Sequence, residues 1–300
     1  MLEDTVRTLA FERALQAVIR PHHRVLDFGC GTGILSFFAQ RAGARRIYAV
    51  DRTPFIGAAR AVAQVNGFDR VEFLDGEEDV RLPTAVDVIV SEWMGHFVFN
   101  ESMLEPLARV RNRNLVSGGI MIPRRLTLHV AVVTDPDFLT RYQYFQTRPY
   151  GIDFSPMVAC STARTETLRL KPEQVTTPVI HLCALDMQTC RETPSFFSGS
   201  AVFTEATTAY GLAGWFDAEL AEGVGFGTGP FSPRTHWKQM GFPLSGPFRI
   251  DAGEPLHVRI DPIRVEDDRR HWRWTVRQGR REVTQDEVAS KPWAAERYRP

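Results

Sequence analysis

Between residues 24 and 115 short apolar runs alternate with stretches of helical spacing. RVLDF (24–28) is an apolar run that stops at Gly-Cys-Gly-Thr-Gly, and ILSFFAQRAG (34–43) then repeats apolar residues at helical intervals. RIYAVD (46–51) predicts a second strand, and PFIGAARAVAQVNG (54–67) a helix opened by proline and closed by Asn-Gly. VEFLDG (71–76) and VDVIVSEW (86–93) predict two more strands. ESMLEPLARVRNRNL (101–115) predicts a helix, with Asn100 as its N-cap. Such alternation argues a parallel, doubly wound sheet. Ahead of it, MLEDTVRTLAFERALQ predicts an amphipathic helix with acids at its start.

The pattern changes at GGIMIPRR (118–125). Beyond it LTLHVAVV, VIHLCALDM, GSAVFTEATT, AYGLAGWFDAEL, LHVRIDPI and HWRWTVRQ read as strands between Gly, Pro and polar turns. They predict an all-β unit, barrel or sandwich. Residues 138–173 fit neither strand nor core. Tyr142, Tyr144, Phe145 and Tyr150 there read as exposed aromatics of an arm that packs on something else. The chain thus divides into 1–122 and 123–300, with residues 281–300 expected to form a loose tail.

Composition narrows the function classes. The 300 residues carry 36 basic and 36 acidic side chains, so no net field draws the chain to nucleic acid or a membrane surface. No apolar run approaches the ~20 residues of a membrane-spanning helix. Four cysteines without metal-ligand spacing or a dense disulfide pattern fit a reducing, cytoplasmic setting, or a nuclear one in a eukaryote. Lys171, Lys238 and Lys291 are the only lysines, and the arginine skew fits a GC-rich bacterial genome.

Two constellations carry chemistry. Asp27-Phe-Gly29-Cys-Gly31-Thr-Gly33 leaves a strand and opens a helix, where glycines let a ligand approach the backbone. A plain tight turn would have the same composition. Asp51, ending the next strand, adds a carboxylate suited to ribose hydroxyls. Glu78, after the third strand, would lie near an adenine, or would be a solvated acid in a charged loop. The G-x-G-x-G spacing departs from the dinucleotide pattern and resembles motif I of class I methyltransferases, which leaves nicotinamide-dependent oxidation as the lesser reading.

The second constellation is SEWMGHFVFNES (91–102), where Glu92 and Glu101 bracket an apolar run. Two acids beside apolar surface call for a cation. A guanidinium, planar and rich in donors, pairs bidentately with carboxylates. Taken singly, Glu101 could serve as a first-turn helix acid and Glu92 as a strand-end surface residue.

At this point the chain resembles the protein arginine methyltransferases. SEWMGHFVFNESML is similar to their double-glutamate loop, THWKQ (235–239) to their Thr-His-Trp loop, and VLDFGCGTGILSFFAQRAGARRIYAVD to their motif I and the strand after it. MLEDTVRTLAF resembles the segment after their first helix, and YGIDFS (150–155) the end of their dimerisation arm. The resemblance spans roughly residues 1 to 278. It implies an α/β Rossmann-like methyltransferase domain followed by a mostly β, barrel-like domain with a dimerisation arm, working as a homodimer. It implies S-adenosylmethionine as cofactor and arginine in proteins or peptides as acceptor. By position, Glu92 and Glu101 would hold the guanidinium, His236 would pair with Asp4, and Trp237 would line the substrate channel. Arg7 would meet the cofactor carboxylate, Asp27, Gly29 and Gly31 would sit at the cofactor, Asp51 would take the ribose, and Glu78 the adenine amine. Met1 and Met103 match the methionines that leave room for asymmetric dimethylation.

His236 could equally tie two domains together, Trp237 could be a core aromatic, and Cys30 reads as a packed residue. Two departures stand out. His96 replaces the family's usual tyrosine, and the sequence begins at the Met1-Leu2 that follows the family's aromatic-rich helix, so weak cofactor affinity and slow turnover are expected unless an upstream extension or another chain supplies that lid. Methylation of a small guanidino metabolite and a degenerate dimeric binding scaffold are the alternatives.

Overall fold

A computed structural model describes residues 2–264 and 270–288. Helix α1 (Thr5–Val18) starts at Asp4, whose carboxylate accepts the Arg7 backbone N–H at 3.0 Å. Strand β1 (Arg24–Phe28), helix α2 (Ile34–Arg41), β2 (Arg46–Asp51), α3 (Phe55–Asn66), β3 (Val71–Asp75), β4 (Val86–Val90), α4 (Leu104–Asn114) and β5 (Leu115–Ile122) follow. The five strands form one sheet in the order β3-β2-β1-β4-β5, every pair parallel. The order reverses between β1 and β4, the switch point at which ligands bind in such sheets. Central β1, β2 and β4 are almost wholly buried, as a sheet covered on both faces requires.

Antiparallel strands make up the rest: β6 (Arg125–Val133), β7 (Glu166–Leu168), β8 (Val175–Asp186), β9 (Phe197–Val202), β10 (Thr207–Ala221), β11 (Val224–Gly227), β12 (Gln239–Ile250), β13 (Pro255–Arg264), β14 (Arg270–Gln278) and β15 (Arg281–Asp286). One sheet runs β7-β12-β10-β6-β8 with β11 on β10, and a second runs β15-β14-β13-β9. β8 lies against β9 and β12 against β15, so the two sheets wrap a shared core of Leu128, Phe216, Phe242, Trp272 and Trp274.

Several expectations need correction. The run GSAVFTEATT is two strands, β9 and the start of β10. Residues 281–286, expected in a loose tail, form β15, while 289–300 lie outside the described residues. Asn100 caps no helix: Phe99–Glu101 form a 3-10 turn, and α4 begins after Met103 with no side-chain cap. The acid in its first turn is Glu105, not Glu101.

The segment after β6 holds two short helices, α5 (Asp137–Thr140) and α6 (Val158–Thr162), among 3-10 turns. Its base is core, not arm. Phe138, Leu139 and Tyr142 are buried with Ala131, Val133, Ala213 and Trp215 of β6 and β10. A Cβ at Gly211 would come within 2.3 Å of the Phe138 ring, so glycine in β10 makes the seat for that ring. Tyr142 is therefore buried, whereas Tyr144, Tyr150 and Ile152 farther along are exposed. No described helix is long and apolar enough to cross a membrane.

Candidate active site

A cavity of about 560 Å³ opens at the C-terminal ends of β1, β2 and β4. Gly29, Asp51, Glu78, Glu92, Glu101 and Met103 all line it. That size falls within the ~300–1,000 Å³ of small-molecule sites.

One wall is the glycine turn. Gly29, Gly31 and Gly33 have φ of +76°, +51° and +81°, a region that penalises side chains. A Cβ added at Gly29 would meet no protein atom within 4 Å, so the missing side chain leaves room on the cavity side. Asp51 accepts the Gly31 N–H at 2.7 Å through one oxygen. Its other oxygen takes the Thr53 N–H and hydroxyl at 2.8 and 2.6 Å. The carboxylate is thus fixed at the rim and braces the turn. Gly31 contributes through that bond and does not itself line the cavity.

Asp27 requires a correction. It is fully buried beneath the turn, and one carboxyl oxygen accepts the N–H and hydroxyl of Ser36 in α2 at 2.9 and 2.7 Å. Burial pushes its carboxyl up to about 7. It fastens strand to helix and does not reach the cavity. Glu78 does reach it, but its carboxylate pairs with Arg109 of α4, an exposed pair that contributes little to stability.

The apolar run between Glu92 and Glu101 has a packing cause. Phe97 is buried against Phe242 and Trp272, with ring centroids 5.4 Å away in each case. It also lies over Gly214 of β10, where a Cβ would come within 2.7 Å of its ring. Phe99 stacks on Phe197 at 5.1 Å. The phenylalanines plug the loop into the β unit and leave the two carboxylates at the cavity. The loop is tight: Gly95 and Val98 exchange backbone hydrogen bonds, and a Cβ at Gly95 would lie 2.9 Å from that of Asn100. Val98 and Ser102 hold φ of +61° and +51°, strained for a β-branched residue in particular and typical of functional loops.

Glu92 is nearly buried, and burial pushes its carboxyl up to about 7 even with a guanidinium beside it. That guanidinium belongs to Arg7, whose Nη1 donates to Glu92 Oε2 at 2.8 Å. Arg7 is itself buried and absent from the cavity lining, so its clearest partner is Glu92. Glu101 is more exposed, and partial burial raises its carboxyl too.

Behind Arg7 stands the second pair. Asp4 Oδ2 accepts both the backbone N–H of His236 and its Nδ1, each at 2.7 Å. Burial alone would raise Asp4, but the bonds from His236 and Arg7 outweigh it and the carboxyl is held below its ordinary value. His236 is lowered by burial, with Asp4 opposing. A continuous series therefore runs Glu92–Arg7–Asp4–His236, although His236 does not line the cavity.

Trp237 is a core residue rather than a channel wall. Its ring lies 5.2 Å from that of Phe226 and nearly parallel to it, and its indole N–H donates to Met94 O at 2.8 Å. His96 accepts the Lys238 backbone N–H through Nδ1 at 3.0 Å, which puts the proton of the neutral ring on Nε2. Burial, then the neighbouring His236, lowers it. Met1 lies outside the described residues. Sequence reasoning missed Ser91, whose hydroxyl ties β4 to Phe28 O at 2.7 Å, and Trp93; both line the cavity. Ser91 and Trp93 flank Glu92, and adjacency to the motif was the available signal.

Residues 124–278 match the arginine methyltransferase oligomerization subdomain, and residues 7–123 match the ribosomal protein L11 methyltransferase PrmA family. Protein arginine N-methyltransferase 1 of Schizosaccharomyces pombe is 36% identical over 87% of this chain and 79% of its own length. The Saccharomyces cerevisiae protein of the same name is 34% identical over 87% and 78%. A Trypanosoma brucei PRMT1 enzyme–prozyme heterotetrameric complex with AdoHcy superposes with a TM-score of 0.85 at 31% identity, covering 95% of both chains. Arabidopsis thaliana protein arginine methyltransferase 10 gives 0.80 at 27% identity and 96% coverage of both. The fold and cavity define a class I methyltransferase joined to an antiparallel β unit. The chain belongs to the protein arginine methyltransferase family.

Proposed function

We propose that this protein transfers methyl groups from S-adenosylmethionine to guanidino nitrogens of arginine in proteins or peptides, forming monomethyl and asymmetric dimethyl products. The observation that carries the reading is the placing of Glu92 and Glu101 on the same cavity as the glycine turn and Asp51. Residues 1–122 would bind the cofactor and 123–300 the acceptor, in a cytoplasmic homodimer. The dimer contact suggested by exposure joins Tyr144, Tyr150 and Ile152 of one copy to Phe55, Val62 and Val65 on α3 of the other.

The donor set fits the cofactor: Gly29 offers backbone beside open space, Asp51 a fixed carboxylate for ribose hydroxyls, and Glu78 an acceptor for the adenine amine. When bound, the cofactor supplies an electrophilic methyl group on a sulfonium. The chain's own residues do the rest. Glu92 and Glu101 grip the acceptor guanidinium from two sides, which draws the positive charge onto the held nitrogens and restores lone-pair character to the remaining one. Arg7 and the Met94 N–H fix Glu92, so its free face is pre-aimed. Such orientation can be worth ~7–11 kcal/mol of barrier. As the new N–C bond forms, the nitrogen sheds a proton. His236, just outside the cavity lining with Nδ1–H given to Asp4, would offer Nε2 as the base that takes it. Met103, which lines the cavity with Glu101, would bound the space beside the guanidinium.

The test is Glu92→Gln and Glu101→Gln. Each is expected to abolish most methyl transfer while cofactor affinity survives, since each removes charge-assisted bonds of ~1.5–3 kcal/mol. Near wild-type activity in either variant would sink the double-carboxylate mechanism.

A further inference from the structure

The loop that carries His236 is held from a side the mechanism above does not use. Arg169 directly follows β7, the strand by which the arm rejoins the β unit. Its guanidinium donates to three successive carbonyls, Thr235 O at 2.9 Å and His236 O and Trp237 O at 3.4 Å each. The loop's other hydrogen bonds among the described residues go elsewhere: the His236 N–H and ring to Asp4, the Trp237 indole to Met94 O, the Lys238 N–H to His96. The carbonyls of 235–237 thus converge on one guanidinium, the His236 and Lys238 N–H groups and the His236 and Trp237 side chains have partners on other segments, and Arg169 serves that carbonyl side. Three converging carbonyl dipoles repel one another, and a planar cation with five donors satisfies them together. Next to this contact β7 pairs with β12 through Leu168 and Gln239, and the Leu170 N–H donates to the Gln239 side chain at 2.9 Å. The arm's return and the loop are therefore one fastened unit.

We propose that Arg169 is a positioning residue, holding the Thr235–Trp237 backbone so that His236 keeps its Nδ1–H on Asp4 and leaves Nε2 as the proton acceptor assigned to it above. The proposal rests on the arginine methyltransferase reading. Arg169 does not line the cavity, so its loss should appear in kcat and in the state of the His236 ring, and not in cofactor binding.

The test compares wild type with Arg169→Met and Arg169→Lys. The downfield Nδ1–H proton resonance of His236, assigned by its absence in His236→Ala, is followed beside steady-state kinetics on an arginine-containing peptide, cofactor affinity by calorimetry, and molar mass. In Arg169→Met the resonance should broaden away and kcat should fall about 10- to 100-fold, the range for a misplaced catalytic group. Affinity and mass should hold, and Arg169→Lys, which keeps the cation, should recover much of both signals. A Met variant that keeps the resonance and kcat overturns the proposal. So does one that loses rate and cofactor affinity together with no recovery in Lys, because that is general destabilisation. Wild-type protein inactive on arginine would sink the functional reading alone, since the resonance comparison still decides for or against Arg169.

Discussion

Lowering the pH from about 8 to about 6 should weaken acceptor binding without slowing the bound complex. The acceptor guanidinium stays charged throughout, so the titrating partners are the carboxylates. Glu92, pushed up to about 7 by burial, controls the window. With that value it is ionised in roughly ten molecules of eleven at pH ~8 and roughly one of eleven at pH ~6. Productive capture should fall about tenfold across the range, ~1.4 kcal/mol of binding free energy. The sign follows from burial: it favours the protonated form of the free enzyme, while a bound guanidinium favours the ionised form and pulls the carboxyl back down. KM for the acceptor should therefore rise on acidification while kcat holds. Burial holds His236 below its ordinary value, which favours its neutral, proton-accepting form. Initial rates on an arginine-containing peptide, at saturating cofactor and constant ionic strength, give the profile. A kcat/KM that is flat between pH ~8 and ~6, or a loss lying wholly in kcat, would refute the argument that the buried carboxylate controls acceptor capture.

Two further outcomes follow from the same geometry. Asp51→Ala should weaken S-adenosylmethionine binding by about 100-fold, since it removes a charged acceptor at the rim and frees the Gly31 N–H it braces; unchanged affinity by calorimetry would mean the glycine turn has been misread. Tyr150→Asp combined with Ile152→Asp should yield monomer in light scattering at micromolar concentration, where wild type gives dimer, because both side chains are exposed apolar surface on the arm; a dimer that survives both charges places the contact elsewhere.

The parallel sheet was legible because its strands are short apolar runs that stop at glycine or acid, and RVLDF and RIYAVD are β1 and β2 to the residue. The β unit was less so. β12 contains Gly241, Pro243, Gly246 and Pro247, which read as turn, yet it runs 12 residues. The ladder to β10 accommodates them through a register shift between Ala209 and Gly211, where bulges admit proline. Tyr142 read as exposed because sequence cannot show that the outer face of β6 and β10 carries a second small core. At the cavity, residue types carried far: Glu92, Glu101, Asp51, Glu78, Gly29 and Met103 share one wall system. What could not be read was which groups the chain spends on itself. Asp27 lies beneath the turn on Ser36, Arg7 pairs with Glu92, and Trp237 stacks in the core, each fixed by neighbours remote in sequence. The kink at Val98 and Ser102 was equally invisible, since neither residue type advertises a positive φ.

The most direct measurement is incubation of the protein with methyl-labelled S-adenosylmethionine and an Arg/Gly-rich peptide, beside a parallel reaction with free arginine, both read by mass spectrometry. Label on peptide arginine side chains, as one and then two methyl groups on the same nitrogen, with none on free arginine, is the predicted result. Label on free arginine alone would assign the chain to small guanidino acceptors, and label on neither would contradict the account.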